Sequence, residues 1–371
     1  MISSIEYMQH AIRLAKKGLY TTDPNPSVGC VIVKDGDIVG EGWHQWAGEA
    51  HAEINALQQA ADKAEGATVY VTLEPCSHTG KTPPCADALI KAGVSKVVAA
   101  MKDPNPLVAG DGLKKLQQAG VEVDYGLLET QARELNPGFI KRMESGRPFV
   151  RVKLAMSVDG RTAMASGESK WISCSASRND VQRLRAQSSA ILTGIGTVLA
   201  DDPSMNVRLT ADELGIPADS GENAVRQPKR IILDSKFRMP VDANIYTGGG
   251  ECIVYTTVNM DNRDGYPFII ETCASQDGKI DLRQLMAELA KKEINLLHVE
   301  AGSVLCGALL KNDLVDEIIL YMAPHIMGDG ATGLFHLPEI DKMKDRISLD
   351  IKDVRSVGSD IRITAHPVSV Q

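Results

Sequence analysis

The sequence predicts two α/β domains in succession, on three observations. Its 371 residues exceed what one typical core supports and suit two domains of roughly 150 to 220 residues. Short β-branched runs alternate with helix-period segments along the whole chain, the pattern of layered α/β sheets. A breaker, Ser145-Gly146-Arg147-Pro148, separates two such series and sets the expected domains at residues 1–146 and 147–371.

In the first series, Met1 to Tyr20 reads as an amphipathic helix with Ile5, Met8, Ile12 and Ala15 on one face. Asp23-Pro24-Asn25-Pro26 is a turn, and Val28 to Val33 with Asp37 to Gly40 reads as a hairpin about Lys34-Asp35-Gly36. A helix is expected over His51 to Ala64 and a strand over Thr68 to Leu73. The loop Ser77 to Pro84 then leads to a helix from Cys85 to about Lys91. A strand at Lys96 to Met101, a second Asp-Pro-Asn-Pro at 103, a helix near Gly112 to Ala119 and a short strand at Val121 to Asp124 follow, then a long polar helix to about Glu144. The second series places strands at Val150 to Ala155, Ala190 to Thr193, Arg230 to Leu233, Cys252 to Tyr255, Asn295 to Val299, Glu317 to Met322 and Ile361 to Thr364. Helices are expected near Ser175 to Gln187, Asp281 to Lys291 and Ser303 to Leu310, and a surface loop over Thr210 to Arg226.

The composition, 43% hydrophobic and 24% charged, is that of a globular protein. A net charge of −8 without a Lys/Arg run argues against nucleic acid or an anionic membrane surface as partner. A small anionic substrate stays open, because a few placed Arg and Lys decide that locally. Met1 to Tyr20 lacks the apolar core of a signal peptide, and no run approaches the ~20 apolar residues of a membrane span. Seven cysteines without regular spacing suit a reducing compartment, so the cytoplasm is expected.

The chemistry concentrates in His51-Ala52-Glu53, Pro75-Cys76 and Cys85. Catalytic zinc takes three protein ligands and an open position for water, whose pKa falls from 15.7 to about 7. His51, Cys76 and Cys85 supply that number, and Glu53 is left to move protons without binding metal, as in zinc deaminases. Residues i and i+2 of a helix point about 200° apart, so His51 and Glu53 address one ion only at a helix start. Both cysteines are likewise expected at or near helix starts, where backbone N–H groups favour a thiolate. A closed structural site would need a fourth ligand, which His78 or His44 could supply, and two buried free thiols are a further reading.

The runs Gly48 to Glu53, Tyr70 to Cys85 and Asp103 to Gly110 resemble the bifunctional riboflavin-biosynthesis deaminase/reductases. Eight residues, Ser77 to Pro84, separate the cysteines where cytidine and tRNA deaminases have two, and they carry Lys81. The resemblance implies that Asn25, His44, Lys81, Asp103 and Asn105 surround the pyrimidine and its ribose phosphate. Their chemistry is compatible, since Lys81 offers charge to phosphate while Asn25 and Asn105 offer donors and acceptors to a base edge. Asn between two prolines is also an ordinary turn residue, and His44, near Trp43 and Trp46, could be a packed surface histidine.

In the second half, hydride transfer would be carried by a cofactor, so no catalytic triad is expected. Gly194-Ile195-Gly196-Thr197-Val198-Leu199 begins like a dinucleotide fingerprint, but Leu199 takes the third glycine position. Val299 to Ser303 reads as a strand end, a Gly turn and a helix start, where free N–H groups favour a pyrophosphate, as well as an ordinary strand-to-helix turn. The resemblance continues through Lys153 to Gly160, Trp171 to Ser173, Thr193 to Thr197, Ala200 to Pro203 and Glu300 to Ser303, which look like a reductase domain similar to dihydrofolate reductase. By those matches Ala155, Trp171, Thr197, Asp201, Ser235, Gly302 and Ser303 would line an NADPH site, and Ser169, Arg185, Met205, Arg208 and Glu300 would contact the sugar phosphate. Two guanidinium forks suit a ribose phosphate, although Arg185 alone reads equally as a solvated helix face and Trp171 as a core aromatic. Cys30, Cys174, Cys252, Cys273 and Cys306 lack ligand spacing and read as structural.

The resemblance thus implies a cytidine-deaminase-like three-layer α/β domain followed by a dihydrofolate-reductase-like α/β domain, with Zn2+ and NADPH as cofactors. It implies a small pyrimidine nucleotide substrate, and a homo-oligomer is expected. The first step would deaminate 2,5-diamino-6-ribosylamino-4(3H)-pyrimidinone 5-phosphate, and the second would reduce its ribosyl group to give 5-amino-6-(5-phosphoribitylamino)uracil. The alternative is a zinc nucleoside or nucleic-acid deaminase fused to a non-catalytic nucleotide-binding module. Against a nucleic-acid substrate, the chain shows neither a basic track nor stacking aromatics.

Overall fold

Residues 3–77, 84–106, 108–217, 225–260 and 262–368 are described by a computed structural model. They fall into two units, Met1–Gly146 with Ala211–Val225, and Arg147–Thr210 with Arg226–Gln371.

The first unit is built on β1 (Gly29–Lys34), β2 (Asp37–Trp43), β3 (Thr68–Val71), β4 (Lys96–Ala99) and β5 (Glu122–Tyr125), in the order β2-β1-β3-β4-β5. β1 runs antiparallel to β2 and β3, while β3, β4 and β5 are parallel. The β1–β2 turn uses Asp35 and Gly36, both at positive φ (52° and 90°), which matches the right-handed twist of the hairpin. Its helices are α1 (Ser4–Ala15), α2 (Ala52–Ala60), α3 (Cys85–Lys91), α4 (Asp111–Gln118), α5 (Glu129–Arg133) and α6 (Pro137–Ser145). Ser3 and Glu6 form a capping box on α1, whose Met8, Ala11, Ile12 and Ala15 are buried. A Cβ at Gly42 would stand 2.5 Å from Ala52 O, so the glycine is what lets the first turn of α2 lie against β2.

The second unit carries a nine-stranded sheet of β6 (Phe149–Ser157), β8 (Ala190–Gly194), β9 (Lys229–Leu233), β10 (Cys252–Thr256), β11 (Ile269–Thr272), β14 (Leu296–Val299), β15 (Glu317–Ala323), β17 (Ser348–Val357) and β18 (Asp360–Val368). The order is β11-β10-β9-β8-β14-β6-β15-β18-β17. Seven of these run parallel in sequence, and β18 and β17 add an antiparallel ribbon at one edge. The short pairs β7 (Arg161–Ala163) with β16 (Thr332–Gly333), and β12 (Ser275–Gln276) with β13 (Lys279–Ile280), lie outside it. α7 (Ser175–Gln187), α8 (Ile195–Asp201), α10 (Leu282–Lys291) and α11 (Ser303–Lys311) complete the unit, while α9 (Ala211–Leu214) belongs to the segment grouped with the first unit. Leu285, Leu289, Cys306 and Leu309 pack with Val150, Val152 and Leu297 in one core, and Ile191, Ile232 and Val254 belong to another. Asp360, on β18, fixes the start of α7 by accepting from Cys174 N–H (2.8 Å) and Ser177 Oγ (2.6 Å). Among the described residues no helix is long and apolar enough to cross a membrane.

Three expectations are corrected. The long helix before Glu144 is two helices, because Pro137 cannot donate within a helix and Asn136 leaves it, at φ −131° and ψ 46°. Asn136 instead pairs with the backbone of Ser27, accepting from its N–H (2.7 Å) and donating to its O (2.9 Å). The surface loop over Thr210 to Arg226 contains α9, with Leu214 and Ile216 buried. β17 was not anticipated, because its residues are almost all exposed and no buried face imprints an alternation on them. Asn136→Ala removes both bonds to Ser27 and strands two backbone groups, so it is expected to destabilise the protein by about 1–3 kcal/mol. A urea midpoint equal to that of the wild type would contradict this role.

Candidate functional site

His51 is the N-cap of α2, in extended backbone (φ −72°, ψ 164°), and Glu53 lies in the first turn. The break in helical geometry at the cap lets their side chains converge despite the two-residue spacing. Cys85 opens α3, whereas Cys76 sits in the irregular segment after β3 and not at a helix start. The expected N–H stabilisation reaches it all the same, since Cys85 N–H donates to Cys76 Sγ (3.2 Å). His51 Nδ1 lies 3.7 Å from Cys76 Sγ and 3.3 Å from Cys85 Sγ. Tetrahedral zinc with ordinary Zn–S and Zn–N bonds places such ligand atoms about 3.6 Å apart, so the three residues fit the ion. Among the described residues this is the one group of three His, Cys, Asp or Glu ligand atoms within 4.8 Å of one another. His44 is not in it, so it does not close the site, and His78 lies outside the described residues.

The electrostatics follow from crowding. Hydrogen bonding from the Cys85 thiol, with the Cys85 N–H and His51, pulls the Cys76 thiol down. That same bond to Cys76, with burial, pushes Cys85 up, so one sulfur is a ready thiolate and the other holds its proton. Burial raises the Glu53 carboxyl to about 7, against the lowering charge of His51. A carboxyl that changes charge near neutrality is suited to proton transfer in both directions.

His44 is buried, 2% exposed, with its ring 5.3 Å from that of His51. Its Nδ1 lies 3.0 Å from Ala50 O, a carbonyl that can only accept, so the proton is on Nδ1 and Nε2 is an acceptor. Nε2 is buried without a hydrogen-bond partner among the described residues, and burial keeps the ring's pKa down. The packed surface histidine is thereby corrected. In the turn bearing Asn25, Asn25 N–H donates to Thr22 O (2.7 Å), and His44 N–H donates to Val28 O (2.9 Å) beyond that turn. Asp103 and Asn105 are placed by a residue that sequence reasoning passed over, Glu74. Its Oε2 accepts from Asp103 N–H (3.0 Å) and Gly110 N–H (2.9 Å), and its Oε1 from Gly112 N–H (2.9 Å) and Leu113 N–H (3.3 Å). Asp103 Oδ1 then accepts from Asn105 N–H (2.8 Å). A glutamate just before Pro75-Cys76, in an otherwise apolar strand end, was the available signal. Lys81 lies outside the described residues.

In the second unit the candidates gather at the carboxyl ends of parallel strands, where ligands bind in open α/β sheets. Ala155 is near the end of β6, Thr197 is in α8 after β8, Ser235 follows β9, and Glu300, Gly302 and Ser303 follow β14. Gly302 caps α11, and a Cβ at Gly196 or Gly302 would meet nothing within 4 Å, so these backbone turns are open to a close-lying dinucleotide. Ser169 Oγ lies 3.5 Å from Asp201 Oδ1, and Lys170 Nζ donates to Asp201 O (2.9 Å). Trp171 is 72% exposed beneath the Arg178 guanidinium (4.7 Å), and is not a core aromatic.

Arg185 is not a solvated helix face either. It is buried and gives Nε and Nη2 to Glu300 (2.6 and 2.9 Å) and Nη1 to Asn206 O (3.0 Å). Its fork is therefore engaged by Glu300. Burial raises the Glu300 carboxyl, but Arg185 and His298 outweigh it and hold the group well below the usual carboxylate range. Arg208 is exposed and, among the described residues, has no carboxylate partner. Burial lowers the pKa of Lys153, against the raising charge of Glu300. Met205 is buried at φ 47° beside these groups in the chain. Of the remaining cysteines Cys30, Cys252, Cys273 and Cys306 are buried, and Cys174 is the N-cap of α7.

Residues 1–101 match the cytidine and deoxycytidylate deaminase zinc-binding region, and residues 148–363 match the RibD C-terminal domain. The chain is 52% identical over 357 residues to the riboflavin biosynthesis protein RibD of Escherichia coli (strain K12), covering 96% of this chain and 97% of that one. The chain belongs to the RibD family. The Haemophilus influenzae riboflavin biosynthesis protein RibD is 50% identical over 366 residues, 98% of this chain and 97% of its own. Among solved structures, Acinetobacter baumannii RibD (form 2) is 46% identical with a TM-score of 0.89, covering 98% of both chains. A Thermotoga maritima diaminohydroxyphosphoribosylaminopyrimidine deaminase/5-amino-6-(5-phosphoribosylamino)uracil reductase is 33% identical with a TM-score of 0.85, again over 98% of both chains. The two-domain α/β expectation, deaminase-like then reductase-like, is borne out by these matches.

Because Cys85 holds a proton that a metal must displace, zinc uptake by the metal-free protein at pH 7 is expected to release about one proton or more per site. Affinity should fall as pH falls. A weakly buffered titration followed with an indicator dye checks both, and zinc binding without acidification would contradict the thiol ligand.

Proposed function

We propose that the two units act in turn on one pyrimidine nucleotide, with the deaminase in residues 1–146 and the reductase in residues 147–371, apart from the segment Ala211–Val225. As a RibD family member the protein is a bifunctional deaminase and reductase of riboflavin biosynthesis, with zinc in the first activity and NADPH in the second. The observation that carries the first activity is the fit of His51, Cys76 and Cys85 to zinc beside a buried carboxyl titrating near neutrality.

In the first step the substrate is the 2,5-diamino-6-ribosylamino-4(3H)-pyrimidinone 5-phosphate. Zinc, when held by His51, Cys76 and Cys85, supplies Lewis acidity that brings the ionisation of water near pH 7. Glu53 takes the proton from water as the C–O bond forms at the ring carbon bearing the 2-amino group. It then hands that proton to the nitrogen as the C–N bond breaks and ammonia leaves. His44 presents Nε2 as an acceptor for a substrate N–H or O–H. Asn25, Asp103 and Asn105 bind the base edge and ribose, and Lys81 the phosphate. The Glu74 bonds support the placement of Asp103 and Asn105.

For the second step NADPH, when bound, would supply the hydride for the first ribose carbon of the ring-opened imine, the imine nitrogen taking a proton from water, to give 5-amino-6-(5-phosphoribitylamino)uracil. Ala155, Trp171, Thr197, Asp201, Ser235, Gly302 and Ser303 bind the cofactor, a role supported for Ala155, Thr197, Ser235, Gly302 and Ser303 by their position near or after strand ends and by the open Gly302 turn. Ser169, Met205, Arg208 and Glu300 bind the sugar phosphate, with Arg185 contributing charge and orienting Glu300. Support comes from the charge balance, three cations, Lys153, Arg185 and Arg208, about one carboxylate, Glu300. We place the protein in the cytoplasm as a homo-oligomer. Seven free cysteines support the first, and the exposed Leu349, Ile351 and Val354 of edge strand β17 support the second.

Glu53→Gln is expected to retain zinc by metal analysis and to lose deamination by about 10² or more. Metal removal should stop ammonia release while NADPH oxidation with the already deaminated nucleotide persists. Full deamination by the Glu53→Gln protein, or loss of both activities on chelation with the fold intact, would overturn the two-site reading.

A further inference from the structure

Between the two arginines of the reductase half stands a residue with no role in the reading so far. Asn206 Oδ1 accepts from Arg208 Nη1 (3.1 Å), and its backbone O accepts from Arg185 Nη1 (3.0 Å). One residue therefore holds both guanidinium groups, through two different oxygens. The amide is boxed in from behind, because a Cβ at Gly248 would stand 2.3 Å from Asn206 Nδ2. Gly248 itself is at φ 83°, in a turn fixed by the buried Arg230, which donates to Thr247 O (2.7 Å), Gly249 O and Gly250 O (2.6 Å).

The backbone on either side of the contact is pinned as well. Gln227 accepts from Val207 N–H (2.9 Å) and donates to Val207 O (3.0 Å), and Gln182 accepts from Arg208 N–H (2.9 Å). Segment 205–208 thus takes its shape from side chains, and Asn206 directs that shape at Arg208. The chemistry of the acceptor matters. An amide oxygen orients a guanidinium without cancelling its charge, whereas a carboxylate would occupy the fork as an internal anion. Arg185 already has such an anion in Glu300. Arg208 does not among the described residues, and its charge stays available to an incoming one.

We propose that Asn206 is a positioning residue that gives the reductase half its selectivity for a phosphorylated sugar, by presenting the Arg208 guanidinium in one orientation without a carboxylate in its fork. The inference rests on the reading that Arg208 meets the substrate phosphate. Asn206→Ala removes Oδ1 and leaves the backbone oxygen on Arg185. Asn206→Asp keeps the shape and adds the competing charge.

The test is steady-state NADPH oxidation by the full-length, zinc-loaded protein with two substrates, the deaminated ribosylamino-pyrimidine 5-phosphate and its dephosphorylated form. Asn206→Ala is expected to raise KM for the phosphorylated substrate about tenfold, the loss of one hydrogen bond to a charged group, with kcat retained and KM for the dephosphorylated substrate unmoved. Asn206→Asp should raise KM for the phosphorylated substrate further, and Arg208→Ala should abolish discrimination between the two. If Arg208→Ala loses that discrimination while both Asn206 variants keep the wild-type KM, the Asn206 role is wrong and the phosphate reading stands. An Arg208→Ala protein that still discriminates removes both. Equal losses on the two substrates would make Asn206 a structural residue only. Should Asn206→Ala fail to fold, Asn206→Asp decides alone.

Discussion

A single buried carboxylate, Glu74, receives four backbone N–H groups from residues 103 to 113, and the first unit's chemistry is arranged around that contact. A carboxylate taken out of water is costly unless its lone pairs are satisfied, and here each oxygen takes two donors. The bond does two jobs in one place. It lies directly before the Pro75-Cys76 stem of the metal site, and it draws in the loop that carries Asp103 and Asn105. The approach is close enough that a Cβ at Gly112 would stand 1.9 Å from Pro75 O, so glycine is required where α4 meets the stem.

The two units solve different problems with the same architecture. In the first, three ligands from an N-cap, an irregular stem and a helix start must hold distances fixed by an ion, and the hydrogen bonds between them set those distances beforehand. In the second, the parallel strands end on a common edge, so residues at or just after β6, β8, β9 and β14 lie along one edge of the sheet. Charge there is managed by one carboxylate. Glu300 pairs with Arg185, while Arg208 meets the neutral amide oxygen of Asn206.

Much of this was legible in the residues. α7 is read at both ends, Ser175 and Gln187, because polar residues mark its start and buried Val181 and Leu184 keep the helical period. The metal ligands and Glu53 are legible because their spacing is itself the chemistry. What escaped the sequence depends on partners far away in it. Asn136 leaves its helix for Ser27, which is 109 residues earlier. Arg185 finds Glu300 after 115 residues, so a residue that reads as a solvated face is a buried ion pair. Cys76 Sγ accepts from the N–H of Cys85, nine residues later, where thiolate stabilisation suggests a helix start of its own. The exposed ribbon strand β17 escapes for another reason, since without a buried face nothing selects a period-two pattern.

Net charge misleads in the same way, by averaging over what a ligand never senses. At −8 the chain as a whole repels anions, yet a phosphate near Arg208 would sit among Arg185, Lys153 and Glu300, a local excess of positive charge. At physiological salt the Debye length is ≈ 8 Å, so the distant acidic surface is largely screened while this cluster is not. Glu300 then has a purpose beyond neutralising Arg185. Without it, the buried Arg185 would have no carboxylate partner, and its repulsion with Lys153 and Arg208 would be unopposed. With it, Arg185 is paired before any ligand arrives, and part of the local positive charge is already balanced.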